Sequence, residues 1–135
     1  MLSYLYVALG SAVGGVVRWS VGNWAQRLAG GAPPAVFPVG TLIVNATGSF
    51  VLGVLAMVTI RPDAGDRADA ARLLLGAGFC GGYTTFSTFS LDTLALLETR
   101  GWLVATANVV ASVAAGLAGV AAGMAVGRAA LGRFA

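Results

Sequence analysis

The sequence contains no lysine and no histidine, and it has a single cysteine, Cys80. Because histidine and cysteine are the usual ligands of transition metals, we expect no such site within one chain. One cysteine also excludes a disulfide framework within the chain. Cys80 is expected to pack as a small apolar residue. No nucleophile is paired with a base in the sequence, so we do not expect an enzyme.

Charged residues are scarce as well, at 10% of 135 residues, and the net charge is +3. The arginines are spread over the chain rather than gathered in a patch, so no nucleic-acid partner is predicted. Hydrophobic residues make up 58% of the chain, and the mean hydropathy is +0.86. A soluble domain of this length cannot bury so much apolar surface. The composition predicts an integral membrane protein whose surroundings are the lipid bilayer.

Four apolar segments have the roughly 20 residues that a helix needs to cross a bilayer. They cover residues 2–21, 39–60, 73–97 and 102–126. The connections are short. Residues 22–38 carry three prolines and should be irregular or hold one short helical turn. The sequence thus predicts an all-α membrane protein with four transmembrane helices in one domain, residues 1–135.

Arginines are divided almost evenly between the two predicted sides of the membrane. Five lie on the side of the termini (Arg61, Arg67, Arg72, Arg128, Arg133) and three on the other (Arg18, Arg27, Arg100). This weak bias fits either a fixed topology or insertion in both orientations. Four helices are too few to enclose a polar path, so we expect an oligomer, and dual topology would allow an antiparallel homodimer.

Small residues in the fourth segment form a stripe at Gly119, Gly123 and Gly127. This spacing allows close approach of two helices. The sequence does not tell whether that contact lies within the chain or between chains.

Two asparagines lie inside predicted spans. Asn45 shares a helix face with Thr41 and Ser49, and Asn108 shares one with Ser112. A helix cannot satisfy an asparagine amide by itself, so each asparagine either bridges helices or lines a water-filled pathway. The presence of a polar face on two helices favours a track of hydrogen-bond donors.

The third segment contains the string GGYTTFSTFS, residues 81–90. Each glycine in a helix interior costs about 1 kcal/mol relative to alanine. Gly81 and Gly82, followed by Tyr83, Thr84 and Thr85, therefore predict a helix broken at mid-membrane. A broken helix points carbonyls and amides towards the midplane. Thr84 or Thr85 is a candidate N-cap of the second half. The alternative is a kink whose hydroxyls are satisfied internally.

Phe86 and Phe89 share a face of the second half-helix and alternate with hydroxyl residues. The electropositive edges of their rings can hold a small anion without a full charge, which leaves it free to move on. Arg18, near a span end, can raise the anion concentration at a pore mouth. Asp92 is expected to face a wet vestibule or to pair with an arginine.

Three motifs resemble the Fluc/CrcB family of fluoride channels: GGVVR at 14–18, GTLIVN at 40–45 and GGYTTFSTFS at 81–90. The resemblance covers essentially the whole chain. It implies a fluoride-selective channel that exports fluoride passively across the inner membrane of a prokaryotic cell. It also implies an antiparallel, dual-topology homodimer with a structural sodium ion at its centre, held by the backbone carbonyls of Gly81 and Thr84.

The resemblance further implies the roles of single residues. Phe86 and Phe89 correspond to the family's phenylalanine box, and Asn45 to its pore asparagine. Arg18 and Asp92 match vestibule positions. The remaining pore positions are Thr85, Ser87 and Thr88 on the third helix, Asn108 where other members can have an aromatic hydroxyl, and Ser112.

Two other functions remain compatible with the residues. A small dual-topology proton-coupled exporter needs a carboxylate within the membrane, for which Asp92 is the only candidate. A non-transporting assembly subunit would explain the glycine stripe but not the polar tracks.

Overall fold

The computed structural model describes residues 1–33, 36–59 and 65–132, with the backbone alone at residues 58 and 65–67. Ile60, Arg61 and Arg133 lie outside the described residues. The helices are α1 (Leu2–Leu28), α2 (Val39–Thr59), α3 (Gly65–Ala71), α4 (Gly81–Tyr83), α5 (Phe86–Arg100) and α6 (Trp102–Gly132), with a π-helical stretch, Arg72–Cys80, between α3 and α4. No strand occurs in this part of the chain, which confirms the all-α class.

Three described helices are long and apolar enough to cross a membrane: Leu2–Leu28, Val39–Met57 and Trp102–Gly132. The third predicted span is divided among the π-helical stretch, α4 and α5, so it contains no single long helix. These helices agree with the predicted all-α membrane protein.

Residues 22–28 continue α1, so the predicted end of the first helix at residue 21 is wrong, and the irregular connection is shorter than predicted. The helix can continue because the first proline after it is Pro33. It ends just before Gly30, whose φ of +95° few other residues adopt. Gly101, at φ +86°, is the single residue between α5 and α6.

Glycines bring the helices together in two close pairs. In the first pair, α1 lies against the π-helical stretch and α4. There, a Cβ on Gly14 would collide with the carbonyl of Phe79, and one on Gly82 would lie 2.5 Å from the Ser11 carbonyl oxygen. Because these glycines have no side chains, the two backbones approach closely enough to make van der Waals contact.

The second close pair is formed by α2 and α6. A Cβ on Gly119 would lie 2.6 Å from the Ala46 carbonyl oxygen, and one on Gly123 would collide with the Phe50 carbonyl. The glycine stripe of the fourth segment therefore packs within the chain, which answers the question that the sequence left open. Cys80 is buried, as predicted.

The third helix is interrupted at Thr84 and Thr85, whose backbones are extended (ψ 160° and 116°). Gly81 keeps helical angles (φ −63°, ψ −37°) and Gly82 lies in α4. The interruption therefore lies at the end of the predicted stretch 81–85, and the two glycines themselves stay helical, where Gly82 contacts α1. The N-cap prediction is confirmed at Thr85, whose Oγ1 accepts a hydrogen bond from the Thr88 amide at 3.1 Å.

We expect Gly123→Ala to destabilise the protein by about 1–3 kcal/mol, because the new methyl group has no room against α2. Gly116→Ala is the matched control on the same helix, since its Cβ would meet only Ser49 Oγ at 3.7 Å. The measurement is unfolding in detergent followed by circular dichroism. Equal unfolding midpoints for the two variants would contradict the close packing of α2 and α6.

Candidate functional site

Asn45 on α2 supports the interruption of the third helix. Its Nδ2 donates to the Thr85 carbonyl at 3.0 Å, and its Oδ1 accepts from the Thr85 amide at 2.8 Å. In a continuous helix that amide would bond the carbonyl of Gly81. One side chain thus satisfies both polar groups of a backbone that lipid could not satisfy. The bridging interpretation of Asn45 is confirmed.

Hydroxyl groups gather where α5 begins. Thr85 Oγ1 donates to Thr88 Oγ1 at 3.0 Å and lies 3.2 Å from Ser87 Oγ. Thr85 is buried, whereas Ser87 and Thr88 are exposed. The first turn of a helix also carries unpaired amides and the positive end of the helix dipole. The start of α5 is therefore rich in uncharged groups that favour an anion.

Arg18 reaches the interruption from α1. Its Nη1 donates to the Thr84 carbonyl at 3.4 Å. Asp92 on α5 is buried, and its carboxylate accepts from the Thr41 hydroxyl at 2.7 Å. Both charged side chains line a cavity of about 540 Å³, together with Thr85 and Thr88. The structure thus brings the two predicted vestibule residues to one polar cavity.

A second cavity, of about 330 Å³, lies on the other side of the interruption. Asn45, Thr84 and Phe86 line it, and Thr85 lines both cavities. A third cavity, of about 840 Å³, shares Leu52 and Gly76 with the second. Since the first cavity includes Gln26 at the end of α1 and the third includes Ser3 at its start, the three follow one another along the helices.

The two phenylalanines lie directly after the interruption. Their ring centroids are 5.5 Å apart and the rings are tilted by 48°. Phe86 is 79% exposed, and Phe89 is half-buried. Phe86 therefore points away from the core of its own chain.

Asn108 and Ser112 lie apart from this group. Asn108 is 1% exposed, and its Nδ2 donates to Thr93 Oγ1 at 2.8 Å, which links α6 to α5. Neither Asn108 nor Ser112 lines any of the three cavities. In the described part of the chain, no hydrogen bond joins Asn108 or Ser112 to the predicted donors of α2.

Sequence reasoning missed Gln26, a buried residue near the end of α1. Its Nε2 donates to the carbonyls of Gly31 (2.7 Å) and Phe37 (3.1 Å), and its Oε1 accepts from the Gly40 amide at 3.0 Å. Gln26 therefore fixes the connection between α1 and α2 and the first turn of α2, beside Thr41. The argument applied to Asn45 would have found it, since its amide also needs partners outside its own helix.

A model of CrcB-like proteins (Camphor Resistance, CrcB) matches residues 5–124, which include every residue of the site. The chain belongs to the CrcB family. The resemblance of the motifs at 14–18, 40–45 and 81–90 is thereby confirmed.

Several CrcB-family relatives are named as channels. The "Fluoride-specific ion channel FluC" of Rhizobium johnstonii (strain DSM 114642 / LMG 32736 / 3841) is 48% identical over 112 residues, covering 83% of this chain and 84% of that protein. The protein of the same name from Coxiella burnetii (strain CbuK_Q154) is 42% identical over 127 residues, covering 94% and 98%. That of Rhizobium etli (strain CIAT 652) is 49% identical over 115 residues, covering 83% and 84%.

In this CrcB-family chain we expect Asn45→Leu to lower the free energy of unfolding by about 2 kcal/mol, because the Thr85 amide and carbonyl lose their partners. Asn23→Leu, at an exposed position of α1, is the matched control. Denaturant unfolding in detergent measures both. If Asn45→Leu were as stable as the control, the support of the interruption by Asn45 would be refuted.

Proposed function

We propose that this protein is a fluoride-selective channel through which fluoride leaves the cell passively, which relieves fluoride toxicity. The observation that carries the proposal is the helix interruption held by Asn45, with cavities on both sides and uncharged donors around it. The membership of a family whose relatives are named fluoride-specific ion channels supports the choice of ion.

The chemistry of the interruption suits fluoride. Fluoride is small and strongly hydrated, so a pore must replace its water with many hydrogen-bond donors. Asn45 uses one of its two N–H groups on Thr85, and the other is left for an ion. Hydroxyls at the start of α5 and the ring edges of Phe86 and Phe89 add further positive sites.

Neutral donors also allow release. A fully charged group at the narrowest point would hold the anion too tightly for conduction. Arg18 lines the first cavity and can draw anions towards it. A membrane potential that is negative inside then drives the anion out, at about 2.3 kcal/mol per charge per 100 mV.

We propose that the working unit is an antiparallel, dual-topology homodimer in the inner membrane of a prokaryotic cell, with the interruption at mid-membrane. Two observations support a second copy. Phe86 is 79% exposed in one chain although it lines the second cavity beside Asn45. The weak arginine bias between the two sides permits both orientations.

A sodium ion at the dimer centre fits the residues present. The Gly81 carbonyl has lost its helical partner, because the Thr85 amide bonds Asn45 instead. Gly81 is exposed, and a Cβ there would meet nothing within 4 Å. The Thr84 carbonyl accepts only a long bond, 3.4 Å, from Arg18. We propose that these two carbonyls hold the ion, which would supply a positive charge joining the two chains.

The test is fluoride efflux from liposomes containing the purified protein, measured with a fluoride electrode and with chloride as the comparison ion. We expect fast fluoride release that continues without a proton gradient, and almost none for chloride. Replacing both rings, Phe86→Ile and Phe89→Ile, should reduce the fluoride rate at least about tenfold, since the positive ring edges are lost.

Phe50→Ile is the control for this experiment, because Phe50 is an exposed ring on α2 outside the three cavities. It should leave the efflux unchanged. Release that requires a proton gradient would favour the coupled exporter, and absence of release would favour an assembly subunit. Normal fluoride flux in the double isoleucine variant would show that the two rings do not contribute to fluoride conduction.

Dual topology is tested with lysines that bias orientation. Ala68→Lys with Asp69→Lys adds positive charge on one side, and Glu98→Lys with Thr99→Lys adds it on the other. Each variant alone should lose fluoride efflux in cells, because all copies then insert the same way. Coexpression of the two variants should restore it. Full activity of either variant alone would contradict antiparallel pairing.

A further inference from the structure

Three side-chain contacts tie α5, the helix that carries both phenylalanines, and its N-cap to other described helices. They are the pair of hydrogen bonds between Asn45 and Thr85, the bond between Thr41 and Asp92, and the bond between Asn108 and Thr93. The first two contacts lead to α2 and lie at the first and second cavities. The third links α5 to α6 and lies away from them. The pore-lining role predicted for Asn108 therefore does not explain its place in the structure.

The bond from Asn108 continues to Phe89. Asn108 Nδ2 donates to Thr93 Oγ1 at 2.8 Å, and Thr93 Oγ1 donates to the Phe89 carbonyl at 2.7 Å. A threonine hydroxyl has one proton, so donation to Phe89 leaves its lone pairs to accept from Asn108. The direction of the relay is thus fixed, and each bond strengthens the other.

We propose that Asn108 is a positioning residue that acts through Thr93 on Phe89. A threonine that bonds the carbonyl four residues earlier is common and fixes nothing beyond its own helix. The added donor from α6 is different, because it fixes the rotation of α5 against α6 at the turn that carries the Phe89 ring. A ring edge that must face an ion tolerates only small errors of orientation. This inference rests on the proposed function, because the orientation of the ring matters only if the ring lines the fluoride path.

Buried residues surround this contact. Asn108 is 1% exposed. Leu96, three residues after Thr93 on α5, and Ala105, three residues before Asn108 on α6, are buried apolar residues. Beyond this face, Leu94 and Leu97 of α5 are exposed. The relay is therefore the polar part of a narrow α5–α6 contact.

A double-mutant cycle tests the relay. Asn108→Ala and Thr93→Val should each lower the preference for fluoride over chloride about fivefold, the effect of one buried hydrogen bond. The double variant should be no worse than either single variant, since both remove the same interaction. Thr93→Ser keeps the hydroxyl and should behave like the wild type.

Fluorine NMR provides a readout that needs no ion flux. A para-fluorophenylalanine label at position 89 should shift in both single variants, whereas the same label at Phe79, on the other side of the interruption, should not. Size-exclusion chromatography checks assembly. If Thr93→Val does not assemble, Thr93→Cys keeps most of the volume with a much weaker hydrogen-bonding group.

The outcomes separate this inference from the proposed function. Loss of fluoride preference in Asn108→Ala but not in Thr93→Val would overturn the relay and would favour the pore-lining role predicted for Asn108. An unshifted label at Phe89 in both variants would overturn it too, whether or not the wild type conducts. A wild-type protein without fluoride flux would refute the channel function. The fluorine signal at position 89 would still test the relay in that case.

Discussion

The structure depends on the pair of hydrogen bonds between the Asn45 amide and the backbone of Thr85. A membrane offers no water to exposed peptide groups, so a helix can be interrupted inside it only where protein supplies substitutes. Asn45 supplies both a donor and an acceptor from a neighbouring helix. The interruption, the free Gly81 carbonyl and the cluster of hydroxyls at the start of α5 all follow from that substitution.

The glycines explain why the interruption has a fixed position. α1 packs backbone to backbone against the helix before the interruption, and α2 packs in the same way against α6. These two pairs form a rigid frame without large side chains. α5 is joined to the frame by hydrogen bonds from Asn45, Thr41 and Asn108 and by the buried Leu96. Its orientation therefore depends on these few hydrogen bonds as well as on packing.

The sequence predicted the helices well, because long apolar runs leave no other structure possible in lipid. It predicted the interruption within residues 81–85 but not that the two glycines stay helical, because Gly82 is supported by its contact with Ser11. It predicted that Asn45 needs partners but not which ones, since Thr85 lies 40 residues away along the chain. Gln26 was missed because its surroundings were expected to be irregular. Asn108 was identified, but its bond to Thr93 was not predicted, because a position in a family motif does not name a partner.

The cation at the first cavity is an arginine, and the geometry of its head group has a consequence. Its Nη1 donates to the Thr84 carbonyl, but a guanidinium is a planar fork with five N–H donors. Arg18 can therefore brace the extended backbone at Thr84 and still present donors to the cavity that it lines.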